Sequence, residues 1–282
     1  MKYFIYGASG GVGKEVASLL LKKGDSVFGS SRQPSLQKSE KNLNWVEVST
    51  EVPEKGITAL DGIDKVFLMS PPGHMDQYTL LKPWIDESKK QGVKKIVLMT
   101  AMGIEHAPPE VPFKKLELYL ADSGIDYIIL RPNWFMQNFQ TSWLSGIKKD
   151  RKIYFPGGSA KVSFIDSIDI AKSVVGAFED SIEKNRGYML TGREAIDHSE
   201  VAKYLSVATG ITISYEDITS ESFVSMLINN GVNQDYSNFL AMIAGALKEG
   251  QSVAITGDVK YLSGNEPTKF EEYAKENASV WK

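Results

Sequence analysis

The chain has 282 residues, 42% of them hydrophobic and 24% charged, and a net charge of −3, an ordinary globular composition that can bury a sizeable core. The slight acidity and the lack of a Lys/Arg block argue against a nucleic-acid or anionic-membrane surface, and no apolar run approaches the roughly 18 residues of a membrane span. Zero cysteines exclude disulfides and thiolate chemistry and fit a cytoplasmic setting, while His74, His106 and His198 are too scattered for a metal site.

The apolar run Tyr3-Phe4-Ile5-Tyr6 reads as a first strand rather than a signal peptide. It runs into Gly7-Ala8-Ser9-Gly10-Gly11-Val12-Gly13, and Val12, Val16, Leu19 and Leu20 then put one apolar face on a helix. Strand, glycine turn and helix together form a dinucleotide-binding signature. Glycine supplies positive φ, close approach of a pyrophosphate and close helix packing, and the helix N-terminus offers free N–H groups to phosphates. Gly7, Ser9, Gly10, Gly11, Val12 and Gly13 are the candidate pyrophosphate contacts.

The helix ends at Lys22-Lys23-Gly24, and Val27 to Ser31 reads as the second strand. In NAD sites an acid near this strand end binds the ribose 2′-hydroxyl, whereas an arginine accommodates the 2′-phosphate of NADP. Here Ser30-Ser31-Arg32 stands in its place, so Ser31 and Arg32 favour NADP(H).

Further strands are expected at Trp45–Val48, Lys65–Met69, Lys95–Met99 and Tyr127–Leu130. Helices are expected near Ile57–Leu60, Met75–Gln91 and Phe113–Asp122. This alternation predicts a Rossmann-like, doubly wound parallel α/β sheet over residues 1–150, with ligands at the C-terminal strand ends. Beyond the glycine turn and Ser30 to Arg32, those ends are Ser49-Thr50, Ser70 to Gly73, Thr100 to Gly103, and Pro132 to Phe135.

Beyond residue 150 the alternation breaks. Strands are expected at Val162–Ile165 and Tyr188–Gly192, with a helix opened by Asp166 to Asp169 and another by Asp197 to Glu200, which leaves His198 exposed in its first turn. Further helices are expected near 222–229, 236–249 and 267–281. Residues 151–282 thus read as a smaller, mixed α/β C-terminal lobe for substrate, interleaved with the first domain.

The glycine turn, Val66 to Pro72, Val97 to Thr100, Ser123 to Tyr127, Leu130-Arg131-Pro132-Asn133-Trp134-Phe135-Met136, Phe164 to Ala171 and Leu190-Thr191-Gly192 together resemble the NmrA-like proteins. That family is an atypical branch of the short-chain dehydrogenase/reductases. The Leu130 to Phe139 string is also similar to NAD(P)H:quinone reductases and ergot-alkaloid type reductases. The resemblance implies that the glycine turn holds the pyrophosphate, Arg32 the 2′-phosphate, and Ser49 and Thr50 the adenine side. It puts Ser70, Pro71 and Pro72 along the middle of the cofactor, Thr100 below the nicotinamide, and Pro132, Asn133, Trp134 and Phe135 beside it.

The Tyr-x-x-x-Lys proton-transfer pair of the wider superfamily has one match, Tyr78 to Lys82, but on the helix one βα unit too early. Many relatives carry a Lys or His four residues before the glutamate matching Glu117; here that position is Phe113. His106 is the remaining candidate acid, facing the expected cleft, with a plain surface residue as the alternative.

Two functions follow as expectations. One is an NADPH-dependent reductase of a small, flat, activated acceptor such as a quinone. The other is an NADP(H)-binding redox sensor without turnover. A sugar-nucleotide epimerase is disfavoured for want of a placed Tyr and Lys. A small-molecule substrate is expected, and the oligomeric state is left open.

Overall fold

The computed structural model describes residues 1–282. Its strands are β1 (Lys2–Ile5), β2 (Ser26–Ser31), β3 (Leu43–Glu47), β4 (Lys65–Met69), β5 (Lys95–Met99), β6 (Asp126–Pro132), β7 (Lys152–Phe155), β8 (Arg186–Leu190) and β9 (Ser214–Asp217). The helices are α1 (Gly11–Lys22), α2 (Gln77–Lys90), α3 (Pro112–Ala121), α4 (Leu144–Asp150), α5 (Ser167–Ala177), α6 (His198–Thr209), α7 (Ser220–Asn229), α8 (Gln234–Lys248), α9 (Asp258–Ser263) and α10 (Phe270–Glu276). The chain forms two units: residues 1–132, 167–190 and 258–265, and residues 133–166, 191–257 and 266–282.

The first unit is built on a seven-stranded parallel sheet in the order β3-β2-β1-β4-β5-β6-β8. Strands β4 and β5 are almost continuously apolar because helices cover both faces. Helix α1 packs on α5 and α5 on α9, while α2 packs on α3. Trp84 of α2 stacks on Phe4 of β1 at 4.8 Å between ring centroids and anchors that core. The chain steps outward from β1 to β3, then returns to lay β4 on the other side of β1, with Ile5 opposite both Gly29 and Phe67. This reversal puts the sheet's topological switch point at the C-terminal end of β1, where an open parallel sheet takes its ligand.

The second unit has the short parallel pair β7–β9 and helices around an aromatic core of Phe139, Trp143, Phe155, Phe164 and Phe270. The Trp281 indole N–H donates to the Phe139 carbonyl at 2.7 Å and pins the C-terminus to that core.

The division expected at residue 150 is displaced. Residues 133–150 belong to the second unit because Phe139, Trp143 and Ile147 are buried in its core. Helix α5 and strand β8, expected in the second lobe, complete the first unit's sheet and its helical layer. Residues 162–165 form no continuous strand; Val162 and Ile165 make isolated bridges to Ile196 and Phe135.

Candidate functional site

The turn after β1 requires glycine at defined positions. Gly7 has φ of 79° and Gly11 of 39°, and a Cβ on Gly13 would stand 2.3 Å from the Gly7 carbonyl oxygen. A Cβ on Gly10, by contrast, would meet nothing within 4 Å. The turn is therefore locked against the helix on one side and open on the other. Gly10 is the N-cap of α1, no side chain bonds to that end, and no acid lies in the first turn. The first-turn N–H groups thus keep their donors and the helix dipole for an anion. Ser9, Gly10 and Gly11 are exposed on this lip, while Val12 and Gly13 are buried beneath it. These features fit a dinucleotide pyrophosphate.

Strand β2 ends beside the turn. The buried Ser30 hydroxyl accepts the Gly7 N–H at 2.7 Å, so it braces the turn. Ser31 is also buried; its oxygen accepts the Gln33 N–H, and Arg32 is exposed at the strand end. Val48 donates to the Ser31 carbonyl at 3.1 Å, which brings the stretch after β3 to the same edge. There the Ser49 hydroxyl caps the turn through the N–H groups of Glu51 and Val52, and Thr50 is half-buried. Burial is the main effect on the Tyr6 hydroxyl and raises its pKa to about 12, against a smaller opposing effect of the Arg32 charge.

On the other side of β1, Met69 at the end of β4 underlies Gly7, and Ser70, Pro71 and Pro72 follow it. Thr100 follows β5 and is buried; its hydroxyl donates to Glu117 Oε1 at 2.7 Å. Glu117, on the inward face of α3, also receives Arg131 Nε at 2.9 Å and Arg131 Nη2 at 2.7 Å. Burial acts first on Arg131 and opposes its charge, but the Glu117 contacts outweigh it and the net shift is upward. Glu105 approaches Arg131 at 3.8 Å and accepts the Gly103 N–H at 3.0 Å. Pro132 closes β6, and its carbonyl accepts the Met102 N–H.

Within this cluster Thr100 and Pro132 were expected, whereas Glu117, Arg131 and Glu105 were not read from the sequence as part of it. Its signal was present: Arg131 in a buried strand and Glu117 beside Leu116 on an apolar helix face are charges that need partners.

Gly7 to Gly13, Ser31, Arg32, Ser49, Thr50, Ser70 to Pro72, Thr100 and Pro132 are thus brought to neighbouring strand ends. Asn133, Trp134 and Phe135 lie in the second unit. Asn133 donates to the Ser163 hydroxyl and the Ser252 carbonyl and accepts the Trp134 N–H, which leaves its amide no proton for a ligand. Trp134 packs edge-on to Phe155 and stacks with Trp143, and Phe135 bridges Ile165.

His106 is 86% exposed, with Glu105 3.8 Å away, so its ring stands in solvent as a surface residue. Lys82 pairs with Asp86 at 2.6 Å, which raises its pKa, and Tyr119 donates to the same carboxylate. The ring of Tyr78 meets Tyr119 and the Lys115 ammonium. Tyr78 is therefore packed at the edge of the first unit's core and Lys82 is tied to Asp86 on α2 itself. Phe113 is half-buried at the start of α3, and Lys114 donates to the Glu105 carbonyl.

His198 corrects another expectation. Asp197 caps α6 and turns the next side chain inward, so the imidazole is fully buried, stacked on Phe155 at 4.6 Å and Tyr215 at 5.3 Å. Neither ring nitrogen has a hydrogen-bond partner, and burial lowers its pKa to about 4.

No helix is long and apolar enough to cross a membrane. An NAD(P)H-binding family model matches residues 7–181. The chain is 29% identical to the uncharacterized oxidoreductase YesF of Bacillus subtilis, over 98% of this chain and 95% of that one. It is 27% identical to an NAD(P)H azoreductase of Xenophilus azovorans, over 98% of each. Among solved structures, a nucleoside-diphosphate-sugar epimerase of Staphylococcus aureus superposes with a TM-score of 0.85 at 21% identity, covering 98% of this chain and 100% of that one. An NADPH-dependent quinone oxidoreductase of Escherichia coli, complexed with NADPH, superposes with a TM-score of 0.84 at 20% identity, covering 98% and 99%. These two share the fold. With a family match running from the first glycine of the turn through the end of α5, the chain belongs to the NAD(P)H-binding family, in agreement with its resemblance to the NmrA-like, atypical short-chain dehydrogenase/reductases.

Proposed function

We propose that this NAD(P)H-dependent oxidoreductase uses NADPH to reduce a small, flat, activated acceptor, with quinones foremost. The glycine turn and the N-terminus of α1 hold the pyrophosphate, Ser31 and Arg32 hold the 2′-phosphate, and Ser49 and Thr50 flank the adenine. Ser70 to Pro72 line the middle of the cofactor, and Thr100 and Pro132 support its nicotinamide end. When bound, the nicotinamide supplies a hydride.

The observation that carries the activated-acceptor part of this reading is the state of Thr100. Its hydroxyl proton is committed to Glu117, while Phe113 fills the neighbouring helix position and Lys82 is paired with Asp86. The protein contributes binding and orientation, and the proton comes from water. That suits an electrophile able to take hydride without prior protonation. The relatives' names agree in kind: one acts on azo compounds and a structural neighbour on quinones.

The test is NADPH oxidation by purified protein with a quinone, an azo compound and a simple ketone. Turnover of the first two and not the ketone supports the reading. Turnover of the ketone alone overturns the acceptor class, and tight NADPH binding with no turnover of any acceptor replaces the reductase by a sensor.

A further inference from the structure

A threonine hydroxyl has one proton and two lone pairs, and whichever partner takes the proton decides what the oxygen can offer to others. For Thr100 the partner is Glu117, 3% exposed and reached by three donors: the Thr100 hydroxyl, Arg131 Nε and Arg131 Nη2. The two Arg131 donors are fixed by the planar guanidinium and leave Oε1 to take the Thr100 proton as well. Arg131 is held in turn. A Cβ on Gly187 of the adjacent strand would stand 2.2 Å from Arg131 Nη1, so glycine there makes room for the guanidinium. Glu105, 3.8 Å from Nε, ties the same arginine to the loop after β5 through the Gly103 N–H. The Thr100 hydroxyl is thus oriented by a buried network reaching across β5, α3, β6 and β8.

We propose that Glu117 is a positioning residue that fixes the Thr100 hydroxyl as a hydrogen-bond acceptor, so that this strand end takes an N–H or O–H donor from the nicotinamide half of the cofactor, the carboxamide N–H first among them. The proposal rests on the NADPH reading above. It adds that the site's polarity is set by a residue that does not itself touch the cofactor. Reversing that polarity leaves the adenosine half of the site untouched.

The experiment measures the affinity of the full chain for NADPH and for 2′,5′-ADP, a probe with the phosphorylated adenosine half but no nicotinamide, in wild type, Glu117→Gln, Thr100→Val and the double variant. Glutamine at 117 replaces one acceptor oxygen by a donor amide and frees the orientation of Thr100. Each single variant is expected to weaken NADPH about three- to tenfold, the effect of one lost hydrogen bond, with 2′,5′-ADP unchanged and the double variant no worse than the weaker single. If the unpaired Arg131 prevents Glu117→Gln from folding, Glu117→Met with Arg131→Met removes both charges together and is expected to show the same selective loss. NADPH affinity equal to wild type in the folded Glu117 variants, equal weakening of both ligands, or multiplicative singles would overturn the proposal. Wild-type protein that binds neither ligand would instead overturn the NADPH reading, which separates the two failures.

Discussion

The Gly13 Cα faces the Gly7 carbonyl so closely that an added Cβ would stand 2.3 Å from that oxygen. The contact joins the first turn of α1 to the end of β1 and sets the width of the lip proposed to hold the pyrophosphate. Gly13→Ala is expected to push the helix off the strand, cost about 1–3 kcal/mol of stability and weaken NADPH at least tenfold. Chemical denaturation and a cofactor titration check both effects. Gly10→Ala, whose Cβ meets nothing within 4 Å, should leave stability within about 1 kcal/mol of wild type.

Arg32 has its guanidinium exposed at the end of β2, where an acid would select NADH. Arg32→Ala should weaken NADPH by about ten- to a hundredfold and leave NADH nearly unchanged, because only NADPH carries the 2′-phosphate. Parallel titrations measure this; equal loss of both cofactors would reject the phosphate role.

Gly187→Ala places a methyl group where Arg131 Nη1 lies, 2.2 Å from the ideal Cβ. The guanidinium must then leave Glu117 or β8 must move, and either costs about 1–3 kcal/mol or more. Thermal unfolding should show the loss, and NADPH affinity should fall while 2′,5′-ADP affinity holds.

His198 predicts an acid-labile second unit. Its pKa is about 4 in the native state because burial disfavours the imidazolium, against an ordinary 6.5 when unfolded. Between those values the unfolded chain binds a proton that the native chain does not, so stability rises with pH across that window. The contribution is complete above about 6.5, and about 3 kcal/mol is lost as pH falls to about 4. His198→Phe removes two unpartnered nitrogens and should flatten the stability profile between pH 4 and 6.5 relative to wild type. Denaturant titrations at several pH values read the difference, and identical profiles would contradict the assignment.

Much of the first unit was legible because its signals are local. The glycine turn, the apolar runs of β4 and β5, and the glycines after α2 and α3 each announce an element within a few residues. Strand β8 and helix α5 were misplaced in the second lobe because joining the sheet is a long-range event: β8 pairs with β6 across an intervening segment of another unit. The same reason hid the boundary at Pro132, since the burial of Phe139 and Trp143 depends on partners as distant as Phe270. Ser31, Arg32 and the strand-end residues followed from topology, but Ser30 as a brace and Glu117 with Arg131 depend on side-chain geometry that spacing does not encode. His198 shows the opposite error. A polar residue beside a capping aspartate reads as exposed, yet the cap turns it into an aromatic core.

The most direct measurement of the central claim follows the hydride itself. The protein is mixed with NADPH deuterated at one face of nicotinamide C4 and with a cationic triarylmethane acceptor, whose central carbon retains an added hydride, and the product is examined by mass spectrometry; the opposite label is run in parallel. Transfer of deuterium from one face, with little or none from the other, is the predicted result. Bound NADPH with no deuterium in the product from either label would contradict hydride transfer to an activated acceptor.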